Sequence, residues 1–147
     1  MSQCLVDTNV LLRFTNAGDP KHLIAYSAIT NLISQGTKIV IVPQCLYEYY
    51  VVATRPVGSN GLGLSRVAAQ NDLLDLVHRF TMQEKEDGLY SNWIDVITTY
   101  ESIGKPAHDA RLIAAMRLHS LKHLLTFNVT DFQRYSQEIT LLDPMTM

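Results

Sequence analysis

Two cysteines, one tryptophan and a net charge of −2 over 147 residues leave several protein classes without support. So few cysteines cannot staple a small secreted scaffold, and Cys4 and Cys45 lie in apolar surroundings that suit buried free thiols in a reducing compartment. No apolar run approaches the ~18 residues of a membrane span. MSQCLVD has no basic leader ahead of a long apolar stretch, so the expected location is the cytoplasm, with no membrane partner. A coat that binds nucleic acid by bulk attraction is usually basic, and this chain is not. There is no internal repeat, low-complexity tract or linker between two cores. What remains is one globular domain over residues 1–147, 47% hydrophobic and 18% charged. A chain of this size buries roughly 70% of its unfolded surface without disulfides or a structural metal.

What is present alternates. QCLV reads as a buried strand, and TNVLLRFT, after Asp7, opens with helix-capping residue types. Residues 21–35 place Leu23, Tyr26, Ile29 or Thr30, and Ile33 at helical spacing, closed by Gly36. KIVIVP is a second strand. From Pro43 to ATRP, Leu46, Tyr49, Tyr50 and Ala53 fit an amphipathic helix with Glu48 on its polar flank. PVGSNGLG holds three of the seven glycines and reads as a mobile loop connecting two helices, the next being SRVAAQNDLLDLVHRF. A short strand is expected within His78–Met82 and a helix in the second half of residues 84–104. Pro106 opens a strong helix over KPAHDARLIAAMRLHSLK, and HLLTF and EITLL are the last strands. This order is the signature of βαβ units: an α/β fold, a three-layer α/β/α sandwich around a parallel sheet of four to five strands.

In such a sheet the ligand crevice lies beyond the carboxyl ends of the strands. Asp7 ends the first strand, Asp109 is expected in the first turn of the helix after Pro106, and Asp131 follows HLLTF in TFNVTDF. Glu48 begins near the same edge, although its polar flank could equally face solvent. Singly, these acids have ordinary roles: Asp7 or Asp131 as helix caps, Asp109 as a complement to the helix dipole. Together in one crevice they repel each other and raise their pKa values unless a cation is shared among them. Hard oxygen ligands suit Mg²⁺ or Mn²⁺, which polarise a phosphoryl oxygen and activate a water for phosphodiester hydrolysis.

DTNVLL, PQCLYE, HDARLIAAM and LLTFNVTDF, in that order and spacing, resemble the motifs of the PIN-domain ribonucleases. With TRPVGSNGLGLS they look like the VapC-type toxins of type II toxin-antitoxin pairs. The resemblance implies a PIN-like fold and a metal-dependent endoribonuclease, with Asp7, Glu48, Asp109 and Asp131 as catalytic metal ligands for Mg²⁺ or Mn²⁺. It sets Thr8 and Asn9 beside Asp7, where they would orient that aspartate or a metal water. Thr126 and Asn128 would hold the phosphate or support the carboxylates. It also implies an RNA substrate, an antitoxin protein that blocks the acidic crevice, and a homodimer formed through the aromatic and Leu-rich helices of the first half. The fourth acid departs mildly from the family's shorter TxD, which divides weight between Asn128 and Asp131.

Other readings compete. A strand ending in DxN resembles the nucleophilic motif of haloacid dehalogenase-like phosphatases, but that motif needs DxD, and Asn9 removes the general acid. A receiver module expects paired acids before the first helix and a late lysine, which VDTN and HLLTFN do not supply. A non-catalytic PIN scaffold usually loses an acid, and all four are present.

Setting the four proposed ligands aside leaves 10 acids against 12 Lys and Arg, so a metal-filled site need not repel RNA. Arg13 and Arg55 lead the candidates for phosphate contact. The tyrosines beside Glu48 are expected to pack in the core or at a dimer interface; Tyr49 and Tyr50 fall on the apolar face, which leaves Tyr47 as the candidate if any of them stacks a base. His108 is expected as an ordinary exposed histidine, with support of its neighbour Asp109 as the alternative. His119 and His123 have the spacing of a zinc pair without a third ligand.

Overall fold

The computed structural model describes residues 1–147. Five short parallel strands form the sheet: β1 (Gln3–Val6), β2 (Lys38–Ile41), β3 (Thr81–Met82), β4 (His123–Leu125) and β5 (Thr140–Leu142), in the order β3-β2-β1-β4-β5. Leu5 lies level with Val40 on one side and Leu124 on the other, so β1 is the central strand. Its Cys4, Leu5 and Val6 are fully buried, as a strand covered on both faces requires. The α/β/α expectation holds.

Seven helices complete the chain: α1 (Thr8–Thr15), α2 (His22–Ser34), α3 (Pro43–Thr54), α4 (Arg66–Arg79), α5 (Leu89–Thr99), α6 (Lys105–Leu118) and α7 (Val129–Phe132). Between β1 and β2 the sheet order moves outward to β3, and the chain then returns to the other side of β1 for β4. The strand order therefore reverses at β1, where an open α/β sheet forms its ligand crevice. Cys4 and Cys45 are buried free thiols, and no helix is long and apolar enough to cross a membrane.

Several expectations shift. Helix α2 buries Ala25, Ala28, Ile29 and Leu32, while Leu23, Tyr26 and Ile33 stay exposed. The helix is apolar on more than one stripe, and the stripe with two alanines allows the closer approach to its neighbours. Helix α5 begins directly after Gly88, whose φ of +85° starts a new direction, and ends before Tyr100. His78 and Arg79 belong to α4, so β3 starts only at Thr81. His119 is held by the Lys85 carbonyl, a use of the ring that needs no metal.

The PVGSNGLG segment is tied down rather than loose. Gly61 N donates to Pro56 O, Leu62 N to Val52 O, Gly63 N to Arg55 O and Leu64 N to Ala53 O, all at 2.8–3.1 Å. Two of these bonds, to Val52 O and Ala53 O, reach carbonyls of the last turn of α3, and a third reaches its C-cap Arg55. A Cβ at Gly61 would stand 2.0 Å from the Arg55 carbonyl oxygen, so glycine is what permits the chain to close back on the helix.

Candidate active site

Asp7 stands where β1 gives way to α1. Its backbone N–H continues the sheet ladder to Leu125 O, while its side chain caps the helix by accepting from Thr8 N at 2.8 Å. Capping and site membership therefore coexist in one residue. The second carboxylate oxygen accepts from Thr126 Oγ1 at 2.8 Å and Asn9 Nδ2 at 3.0 Å. Asn9 also donates to Thr126 Oγ1 and accepts from Phe127 N, and Thr126 Oγ1 accepts from Asn128 N. Thus β1, α1 and the end of β4 are locked around one carboxylate. Thr126 is fully buried, which excludes it from direct phosphate contact and leaves it the work of orienting Asp7.

Glu48, on α3, is aimed at the same place. Its Oε2 receives the Thr8 hydroxyl at 3.0 Å; its Oε1 accepts from Gln44 Nε2 at 3.0 Å and faces His108 Nε2 at 3.2 Å. The Thr8 hydroxyl goes to Glu48 while its amide goes to Asp7, and His108, largely exposed as expected, meets Glu48 rather than its neighbour Asp109. Gln44 escaped the sequence reading, although its position one helical turn before Glu48 was a signal that the two share a face.

Asp109 stands in the second turn of α6, not the first, so the dipole reading loses its place. It lies across from Asp131, in the first turn of α7, with Lys105 Nζ between them, 3.2 Å from Asp131 and 4.0 Å from Asp109. All four acids line one cleft of about 480 Å³, together with Thr8, Asn9, Asn128, Tyr47, Arg55 and Arg111. Arg13 does not. Its guanidinium donates to Asn9 O, lies over the Phe127 ring and pairs with Asp19, so the expected RNA contact there gives way to a structural one.

The electrostatics follow from this crowding. Burial pushes the Asp7 carboxyl up to about 6 against the pull of the Thr126 and Thr8 hydrogen bonds, and the charges of Glu48 and Asp109 add to the rise. Asp109 is raised first by burial and then by Asp131 and Glu48, with Lys105 opposing. As placed, no three acidic, histidine or cysteine groups are close enough to share one ion. The donor types nevertheless suit a hard divalent cation: carboxylate oxygens from four elements, two of them, Asp7 and Asp109, raised by burial and by neighbouring acids, and a buried Gln44 Oε1 with no hydrogen-bond donor.

Comparison with known proteins speaks to family and fold. The PIN domain family model matches residues 4–138. No curated protein matches the sequence. Among solved structures, the chain is similar to VapBC2 from Rickettsia felis bound to a promoter DNA fragment (16% identity, TM-score 0.71, covering 96% of this chain and 98% of that one). It is also similar to a toxin-antitoxin complex from Klebsiella pneumoniae (20%, 0.59, 96% and 97%). A third is VapC20 from Mycobacterium tuberculosis, a sarcin-ricin loop cleaving toxin (20%, 0.59, 88% and 93%). At these identities the likeness is one of fold.

Proposed function

The chain belongs to the PIN domain family, and from that premise we propose that it is a metal-dependent endoribonuclease, the toxin of a toxin-antitoxin pair. The observation that carries this reading is the convergence of Asp7, Glu48, Asp109 and Asp131, from four separate elements, on one cleft. The family assignment removes the phosphatase and receiver alternatives.

Asp7, Glu48, Asp109 and Asp131 would hold Mg²⁺ or Mn²⁺, with Asn128 as a further oxygen beside Asp131. Bound there, such an ion would supply Lewis-acid polarisation of a phosphoryl oxygen and acidification of a water, chemistry whose products would be 5′-phosphate and 3′-hydroxyl ends. The chain's own work is positioning. Thr126, Asn9 and the Thr8 amide hold Asp7 in one rotamer, and Thr8 with Gln44 fixes Glu48. Lys105 neutralises part of the repulsion between Asp109 and Asp131.

Unchecked RNA cleavage would harm the cell, so a blocking antitoxin belongs to this reading. The solved complexes of similar fold, VapBC2 and the Klebsiella pair, support it. A homodimer is the expected assembly, with the exposed Leu23, Tyr26 and Ile33 of α2 as its apolar face.

The test compares purified wild type and Asp7→Asn on structured RNAs with Mg²⁺ or Mn²⁺ and with EDTA. Wild type with metal should cleave, and the substitution or the chelator should reduce cleavage at least 100-fold, roughly the 2.7 kcal/mol of one lost transition-state contact. Equal cleavage in every arm would sink the proposal, and cyclic-phosphate products would point to attack by the ribose 2′-hydroxyl instead.

A further inference from the structure

The cleft contains four cationic or potentially cationic side chains, and three of them are already engaged. Lys105 pairs with Asp131, Arg111 with Glu86 at 3.2 Å, and His108 with Glu48. Arg55 lines the same cleft and forms neither an ion pair nor a side-chain hydrogen bond within the chain. A half-buried guanidinium left without an acid beside an acidic site is suited to an anionic group from outside, and a phosphate fits its planar fork.

Arg55 is also held in place. It terminates α3 with an extended backbone (φ −66°, ψ 143°), and its carbonyl accepts from Gly63 N at 2.8 Å. The glycine-bearing segment that follows thus mounts the arginine at the cleft mouth.

Counting back along α3, Val51 and Tyr47 precede Arg55 at intervals of four, so the three lie along one side of the helix. Both line the cleft, and both are exposed, Tyr47 at 60% and Val51 at 54%. Glu48 adjoins this stripe. The stripe spans roughly 12 Å at 1.5 Å per residue, the reach of a short strand rather than of a single phosphate. An exposed aromatic ring, an apolar step and an unpaired guanidinium in line match the alternation of base and phosphate in an unpaired chain, because rings stack only on bases free of a duplex.

We propose that Tyr47, Val51 and Arg55 form a track for single-stranded RNA, in which Tyr47 stacks an unpaired base next to the scissile position and Arg55 holds a phosphate of the same flank. This deepens the nuclease reading and rests on it for the identity of the nucleic acid. A blocking antitoxin segment would meet the acids of the same cleft by positive charge, whereas Arg55, itself a cation, calls for an anionic group.

The test measures binding without cleavage: fluorescence anisotropy of a short labelled single-stranded oligoribonucleotide, and of its duplex, titrated with the full chain in EDTA at low salt. Wild type should prefer the single strand. Tyr47→Ala should weaken binding roughly 5- to 150-fold, and Tyr47→Phe should restore most of it. Arg55→Ala should weaken binding and reduce the slope of log K against log salt by about 0.7. Tyr90→Ala, removing an exposed aromatic outside the cleft, should change nothing, and melting curves check that every variant is folded. Binding by Tyr47→Ala and Arg55→Ala that equals wild type overturns the track. So does duplex preference, absence of wild-type binding, or a variant effect confined to self-association. Because no cleavage is read, failure of the track leaves the metal-dependent reading to its own assay, and failure of that assay leaves this one interpretable.

Discussion

Asp7 concentrates three tasks in one side chain: it ends β1, caps α1 and faces the cleft. The cost is visible in its raised carboxyl, at about 6 against an ordinary 3.8. The folded chain therefore holds this proton more tightly than the unfolded one. This contribution to stability is complete below pH about 3.8 and is lost as pH rises through about 6. Two pKa units correspond to roughly 3 kcal/mol at most. In EDTA, thermal melts should show wild type losing stability relative to Asp7→Asn across that window, since asparagine does not titrate; a gap independent of pH would refute the assignment. Asp7 itself was legible in CLVDTNVLL, where a charge follows a buried run. Its partner Thr126, 119 positions away in sequence, was legible only as a polar neighbour of the last strand motif, and its hydrogen bond follows from the pairing of β1 with β4.

At the scale of elements, α3 and the segment behind it form a unit. The helix carries Gln44 and Glu48 on the side that meets Thr8 and His108, and Tyr47, Val51 and Arg55 on the open side of the cleft. Gly61 is the position on which this unit depends. Gly61→Ala forces the segment away from the Arg55 carbonyl and should cost about 2 kcal/mol or more in urea unfolding, with weaker RNA binding alongside. Gly58→Ala, where an added Cβ meets nothing within 4 Å, should stay within about 0.5 kcal/mol of wild type. Equal stability of the two would remove the clasp from the argument. The glycines were legible as a loop, but which one touches α3 was not. Composition marks a bend, whereas a close approach depends on where the helix behind it ends. The exposed stripe of α2 has the same lesson: periodicity offered Leu23, Tyr26 and Ile33, and the alanines decided which face could pack.

At the scale of the molecule, that stripe is one of several exposed apolar surfaces, beside Leu74 on α4 and Tyr90 on α5, and it is the one on the first-half helix that the proposed homodimer would use. If it closes the proposed homodimer, Ile33→Lys should give a monomer by light scattering, while Ile103→Lys, at a more open position in the segment between α5 and α6, should leave the dimer intact. A monomeric wild type would remove the dimer from the proposal. The sequence by itself determined the alternation of strands and helices, the parallel sheet and the placing of Asp7, Asp109 and Asp131 near one edge, because burial periodicity and residue chemistry are local properties of the chain; Glu48 stood between cleft and solvent until the fold brought it to the same cleft. Tertiary structure decided the rest. It alone set the Thr8 hydroxyl on Glu48, withdrew Arg13 from the cleft and left Arg55 unpaired within it. Hydrogen bonds and ion pairs between distant segments depend on strand order and helix placement, which no local pattern encodes.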